Sequence, residues 1–421
     1  MNFLTTGEKI RSLRKRFGMR QQELEDENIT RAFISMIETG KRGLSRETAR
    51  HIAEKFNKKA EGLATSLNIN ETYLLRTPAE EAEVYCFQKL NNSPTKDEID
   101  VIIEVAKNHN LTKVEAQAFK IMGDYEFEGE GYGQAFINYM VSLDLYKDTE
   151  DRRFIAYLHN KLGICKSKQL EYKEANSFFH RANYYAVLYK DSNMEKYSIY
   201  NAARAFKKLE KYDEALEYIQ RYLESSNKEE ELKDYVYANV LKANCYRHKK
   251  SKDKALNVLR ELSDELSNMN CELNWYVYNN IGEIYLDENS LDSSLECFDM
   301  AEKVAVESCK KNLPWTYLQK SAVFIRKGEL DEATGFAKKG LELAIEANDI
   351  LTVINSYHKL IDIYTFLGDF TNLRSSYIKL IDILKSKEGY REEVIKKYNK
   401  LALLYLQQND IEMCKKYLQM A

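Results

Sequence analysis

A four-residue phrase, Tyr212-Asp213-Glu214-Ala215, returns in altered form as Leu330-Asp331-Glu332-Ala333, and the reading of that recurrence decides the fold. Aligning its last residue along the chain gives Ala135, Ala175, Ala215, Ala255, Ser294, Ala333, Leu373 and Cys414, at intervals of 40, 40, 40, 39, 39, 40 and 41. Three positions before each stand Tyr132, Tyr172, Tyr212, Lys252, Leu291, Leu330, Phe370 and Ile411. Nine positions before each stand Glu126, Lys166, Phe206, Tyr246, Tyr285, Phe324, Tyr364 and Tyr405, aromatic in the last six. A small side chain is needed where two helices cross closely, and an aromatic fills the gap beside it. Both recur once per unit, so each unit reads as a helical hairpin, and eight in register predict a right-handed α-solenoid.

Composition agrees. The chain has 421 residues, enough for two or more folded units, with 3 Pro, 16 Gly, 31% charged and 44% hydrophobic residues. So few breakers exclude a loop-rich sandwich or barrel and predict an all-α protein. Cys86, Cys165, Cys245, Cys271, Cys297, Cys309 and Cys414 are odd in number, scattered and never spaced C-x-x-C, which speaks against a disulfide framework and a zinc site. No apolar run of signal-peptide length opens the chain and none is long enough to span a bilayer, so a cytoplasmic location and no membrane partner are expected. The repeat pattern resembles the tetratricopeptide repeat, lengthened by several residues per unit. Asn160 to Gly163 and Asn280-Ile281-Gly282 match its small residue in the first helix. The organisation expected is a head at 1–70, a linker and degenerate helical hairpin at 71–115, and eight repeats at 116–421. Thr77-Pro78-Ala79-Glu80 and Thr95 with Glu98 supply helix starts for that hairpin.

Charge separates head from body. Residues 1–70 hold 14 Lys/Arg against 9 Asp/Glu, and the remaining chain 49 against 57. A basic head suits a polyanion partner. In it, Ile10, Leu13 and Phe17 form one apolar helix face, ended by Gly18. A second short helix is expected from about Arg20 to Glu27 with Leu24 inward, then a corner at Asn28-Ile29-Thr30. Thr30 caps a third helix, Arg31 to Glu38, which buries Ile34 and Ile37 and stops at Gly40. Ser45 caps a fourth with Ala49, Ile52, Ala53 and Phe56 inward.

Short helices joined by a tight corner in a basic bundle are the parts of a helix-turn-helix. Gln21-Gln22-Glu23-Leu24, Ile29-Thr30-Arg31, Ile34-Ser35, Ile37-Glu38 and Gly40-Lys41-Arg42 resemble the Xre/Cro-type DNA-binding domain. The stretch from Leu24 to Ile37 is one residue shorter than usual there, a spacing shared with the superfamily's peptide-regulated branch. The resemblance implies that the third helix enters the major groove of double-stranded DNA by its N-terminal end, presenting Arg31, Ala32, Phe33 and Ser35 to base edges. Arg31 suits a guanine and Phe33 a thymine methyl. Gln21 and Thr30, at helix starts, and Lys41 and Arg42, after the third helix, are expected on phosphates.

Chemistry of other kinds is hard to find. No G-x-x-x-x-G-K-[ST], H-E-x-x-H or G-x-S-x-G occurs, so no enzyme, cofactor or metal is expected. Gly129-Glu130-Gly131-Tyr132-Gly133 is a phosphate cradle or, on the stronger reading, a loosened interhelical turn. His51, His109, His159, His180, His248 and His358 are dispersed and read as surface or groove residues. The first helices line the concave side of such a solenoid. Their inward positions are expected to offer Asn160, Asn201, Arg204, Tyr237, Asn244, Arg247, Asn279, Asn280, Glu283, Trp315 and Gln319. An Asn amide both donates and accepts, so a row of Asn can pair with the backbone of an extended peptide whatever its side chains. The competing reading is a merely wet groove.

Head and body together resemble the RRNPP family of Gram-positive quorum-sensing regulators. That resemblance implies a homodimeric transcription factor on an inverted-repeat operator, switched by a short signalling peptide held in the repeat groove. It places Asn201 and Asn280 where the family's first-helix Asn grip peptide, with Asn160 offset by one. Two alternatives stand beside it: a repeat domain that sequesters a response-regulator protein, and a DNA-bound scaffold without a peptide ligand.

Overall fold

The computed structural model describes residues 2–267, 269, 272–387 and 389–421. Among them are 22 α-helices and no β-strand beyond one isolated bridge, Asp26 to Ile29. Two compact units form, one of residues 1–129 and 137–154, the other of 130–136 and 155–421.

The first unit opens with α1 (Thr6–Arg16), α2 (Arg31–Glu38), α3 (Arg46–Gly62) and α4 (Glu71–Leu75). Each starts where a short polar side chain accepts a backbone N–H: Thr5, Thr30, Ser45 and Asn70. Gly18 and Gly40, with φ +63° and +72°, end α1 and α2 as expected. Ile10, Leu24, Ile34, Ile52 and Phe56 are fully enclosed in one core. Two expectations need correction. The second helix is only a 3₁₀ turn, Gln21–Leu24, because Lys55 binds the Leu24 and Glu25 carbonyls and Asp26 bridges to Ile29, drawing the chain out of helix. The head also runs beyond residue 70, since Leu74 of α4 is fully buried in its core and Lys9 donates to the Tyr73 and Arg76 carbonyls. The hairpin of α5 (Pro78–Leu90) and α6 (Lys96–Asn108) follows, both helices entered through Thr/Glu capping boxes.

Eight hairpins then follow in sequence: α7 (Thr112–Glu128) with α8 (Tyr132–Lys147), α9 (Ile155–Lys168) with α10 (Tyr172–Tyr189), α11 (Ser192–Lys208) with α12 (Tyr212–Ser225), and α13 (Leu232–His248) with α14 (Lys252–Leu266). After them come α15 (Glu272–Asp287) with α16 (Leu291–Ser308), α17 (Leu313–Lys327) with α18 (Leu330–Glu346), α19 (Ile350–Leu367) with α20 (Phe370–Lys385), and α21 (Arg391–Gln407) with α22 (Ile411–Met420). All eight aligned residues, from Ala135 to Cys414, are buried in the second helices, seven of them small and the eighth Leu373. Gly163 and Gly282 allow α9 and α15 to lie against the Phe179 and Phe298 rings, where a Cβ would come within 2.5 and 2.6 Å.

The turn within each hairpin repeats too. Leu170, Glu210, Lys250, Asn289 and Asn409 take φ between +57° and +67°, and Gly328 and Gly368 fill the same place. The N–H one residue later returns to the carbonyl of Lys166, Phe206, Tyr246, Tyr285, Phe324, Tyr364 or Tyr405, at 2.9–3.0 Å. This is a Schellman closure, and it explains the recurring ninth position: that residue closes the turn with its carbonyl while its side chain packs. Glu130 has the same conformation and pairs with Lys387, so the glycine-rich run at 129–133 is such a turn.

Candidate functional site

At the head, the Thr30 hydroxyl accepts the Phe33 N–H at 3.3 Å, and the first turn of α2 leaves Arg31 and Ala32 exposed. Ser35 is half-buried on the same helix. Phe33 is half-buried as well: it packs on the edge of the core and lies under the Arg42 guanidinium, 5.2 Å from its ring centre. Lys41 and Arg42 are both exposed just beyond the helix. Gln21 departs from expectation. Its amide donates to the Glu38 carboxylate at 3.0 Å, beside the two hydrogen bonds from Arg14 to Glu38 at 2.7 and 2.9 Å, so the side chain braces the fold from within instead of facing phosphates. Burial alone pushes the Glu38 carboxyl up, but Arg14 and Gln21 outweigh it and hold it below the usual value. Glu25, not anticipated from sequence, places a carboxylate oxygen 2.5 Å from the Arg31 N–H. It thereby adds an acidic group at the start of α2.

In the second unit, first helices of successive repeats touch one another, α9 with α11, α13 with α15, α15 with α17 and α17 with α19. They form the inner wall, and the candidate groove residues lie on them. The Asn201 amide donates to the Asn160 oxygen at 3.0 Å, and Asn244 to Asn280 at 2.8 Å, while Asn280 donates to the Tyr276 carbonyl at 2.7 Å. Arg247 pairs with Glu283 and, at 2.5 Å, with Asp287; Gln319 donates to Glu283 at 3.0 Å. Burial lowers the Arg247 pKa, yet the paired carboxylates raise it by more. Tyr237 stands edge-on to Tyr276 at 4.9 Å, and Trp315 is half-buried against the α15–α17 core. Arg204 is exposed.

Three positions differ from the reading of the sequence, and the first is Asn160, buried at 6% exposure. Asn279 is 1% exposed and spends its amide on the Trp275 carbonyl at 3.0 Å and the Thr316 hydroxyl at 3.4 Å, inside the helix packing rather than on the groove. His159 is buried and stacked on Tyr185 at 5.2 Å, not a surface residue. Cys271 lies outside the described residues; of the other six cysteines only Cys297 is not buried. A cavity of about 320 Å³ beside Asn201 and Arg204 brings in Lys168, Tyr172, Lys207 and Lys208, none of them read from sequence as a groove residue. The signal was present as a cation at three of five successive α11 positions, but such runs are common on solvated faces.

The helix-turn-helix domain family matches residues 7–66, and the tetratricopeptide repeat family matches residues 197–229. No curated protein matches the chain. Among solved structures, the apo form of RapI is 15% identical, covers 91% of this chain and 99% of its own, and superposes with a TM-score of 0.53. The apo quorum sensor NprR from B. thuringiensis is 15% identical over 81% of this chain and 98% of its own, with a TM-score of 0.49. A Rap protein complexed with competence and sporulation factor is 13% identical over 93% and 99%, also at 0.49. At these identities the likeness to RapI speaks to fold. No helix among the described residues is long and apolar enough to cross a membrane. The chain carries a helix-turn-helix domain followed by a tetratricopeptide-like helical solenoid, a pairing that fits the RRNPP resemblance read from its sequence.

Proposed function

We propose that the protein is a transcriptional regulator that binds an inverted-repeat operator as a homodimer and is switched by a short linear peptide in the groove of its repeats. One observation carries the reading: two pairs of asparagine amides, Asn160 with Asn201 and Asn244 with Asn280, stand on the inner wall of a solenoid that shares its chain with a helix-turn-helix head. These amides bond each other across adjacent repeats, so an arriving peptide backbone exchanges one set of amide hydrogen bonds for another. Such exchange leaves few buried polar groups unsatisfied and costs little. At the head, Arg31 is exposed at the tip of a capped helix, with Lys41 and Arg42 beside it for phosphates. A peptide shifts DNA binding only if it prefers one conformation of the solenoid over another.

The test is fluorescence anisotropy of the protein on duplex DNA from its own promoter region, with and without the small-peptide fraction of spent medium. Two salt concentrations are used because phosphate contacts make affinity salt-dependent. The expected result is a peptide-dependent shift of the curve. Arg31→Ala should weaken DNA binding by about 1–3 kcal/mol. The double substitution Asn201→Ala with Asn280→Ala should leave DNA binding intact and abolish the response to peptide. A response that survives the double substitution refutes the amide ladder. A second reading, capture of a response-regulator protein by the repeats, draws support from the apolar outer face of α10, where Tyr184, Val187 and Leu188 are 63, 55 and 53% exposed. Pull-down with Arg31→Ala separates the two, since a protein partner would be retained while DNA is lost.

A further inference from the structure

Several half-buried or buried cations on the solenoid are held by carboxylates. Lys166 lies between Glu171 and Glu174, Lys196 binds Glu231, Arg247 binds Glu283 and Asp287, and Lys320 binds Asp299 and Glu302. The cavity beside Asn201 gathers cations with no such partner. Lys168 at the end of α9 and Arg204, Lys207 and Lys208 on α11 all line it, no carboxylate does, and none of the four has an ion-pair partner among the described residues. Lys207 is half-buried there. Burial is the main cause that holds its ammonium below the ordinary lysine value; Lys208 and Arg247 push the same way, Cys245 and Glu283 the other. Lys168, Arg204 and Lys208 reach water while Lys207 is half-buried among them, so four like charges converge on one opening and an incoming anion relieves their mutual repulsion, most of all at Lys207.

The neutral lining suits the same visitor. Asn201 offers an amide and Tyr172 a hydroxyl, and the Arg204 guanidinium can take a carboxylate through two parallel hydrogen bonds. About 320 Å³ is at the lower end of ligand-pocket size, room for one side chain or one chain end and not for a whole peptide. The cavity also adjoins the Asn160–Asn201 pair.

We infer that this cavity is an anion subsite of the groove, and that the peptide bound there carries a carboxylate, either its own free C-terminus or an Asp or Glu side chain. The inference rests on the peptide reading above and adds the charge of the ligand.

A positional-scanning library of N-terminally labelled heptapeptides, made once as free acids and once as C-terminal amides, tests it by fluorescence polarisation on the full chain. Sub-libraries that place a carboxylate correctly should bind at least about tenfold tighter than the rest. Loss of that preference in the amide series identifies the C-terminus as the source; survival at one fixed Asp or Glu position identifies a side chain. Lys207→Met and Arg204→Gln should each erase the preference. Lys207→Met removes a half-buried unmatched charge while keeping most of the stem, so its ligand-free melting temperature should be unchanged or higher. Arg204→Gln alters an exposed side chain and guards against a folding defect in the other variant. Binding without preference for acids, or a preference intact in both variants, overturns the inference alone. If no sub-library binds at all, the peptide reading falls and takes the subsite with it.

Discussion

Gly282 and Gly328 are both glycines of the repeat body, yet they are required for different reasons. An added Cβ at Gly282 would sit 2.6 Å from the Phe298 ring, so the ring or the helix must move. Gly282→Ala should cost about 1–3 kcal/mol as an overpacked contact. At Gly328 a Cβ meets nothing within 4 Å, but φ is +79°. Gly328→Ala should cost about 1 kcal/mol through the backbone alone. Thermal melts of second variants separate the causes. Phe298→Leu should recover part of the Gly282→Ala loss and none of the other, while Gly328→Asn should be milder than Gly328→Ala because Asn tolerates the left-handed region. The residue scale also shows where sequence reading stops. Asn279 and Asn280 are the same residue type on consecutive positions, and the roughly 100° between them on a helix sends one into the packing and the other to the groove. Nothing in their composition says which.

Among elements, α1 and α2 are joined through charge more than their apolar faces suggest. Arg14 and Gln21 converge on Glu38, whose side chain is 5% exposed. The Glu38 carboxyl is held below its ordinary value of 4.5, so the folded state binds that proton less readily than the unfolded one. Its stabilising contribution is therefore complete above about pH 4.5 and disappears as pH falls through the lower folded value. Hydrogen-exchange protection of α1 and α2 should fall in acid in the wild type. Glu38→Gln should be less protected at neutral pH and lose less on acidification, so the two profiles converge. Parallel profiles would show that the pair contributes nothing to the head's stability. The 3₁₀ turn at Gln21–Leu24 belongs to this scale too: Leu24 was legible as a core residue, but the shortening of its helix depends on Lys55, 31 positions away.

Over the whole repeat unit, residues far apart in sequence meet. Lys387, between α20 and α21, pairs with Glu130 in the turn before α8, 257 positions away. Beside it Gly389, at φ +85°, lies so near the Gln169 carbonyl that a Cβ would come within 2.8 Å. Gly389→Ala should strain the backbone by about 1–2 kcal/mol and push that loop off the turn between α9 and α10. Exchange of amides at Leu170–Tyr172 should then quicken by roughly tenfold while α15 and α16 keep their protection. Uniform loosening of all repeats would instead mean that the contact sets the stability of the entire unit.

The architecture was written in local and periodic information. A 40-residue recurrence of small and aromatic positions, helix caps within three residues of each start, and a basic segment with helix-turn-helix spacing were each readable because the forces behind them act along the chain or repeat with it. The inner-wall asparagines were legible as a row for the same reason. Which amides pair, that Gln21 turns toward Glu38, and that Lys168 joins Arg204, Lys207 and Lys208 around one cavity without a carboxylate were decided only by tertiary structure. Those outcomes depend on how α9 lies against α11, and on whether a carboxylate from a distant part of the chain arrives to neutralise a cation. Proximity across the fold, and with it burial and charge compensation, leaves no period in the sequence.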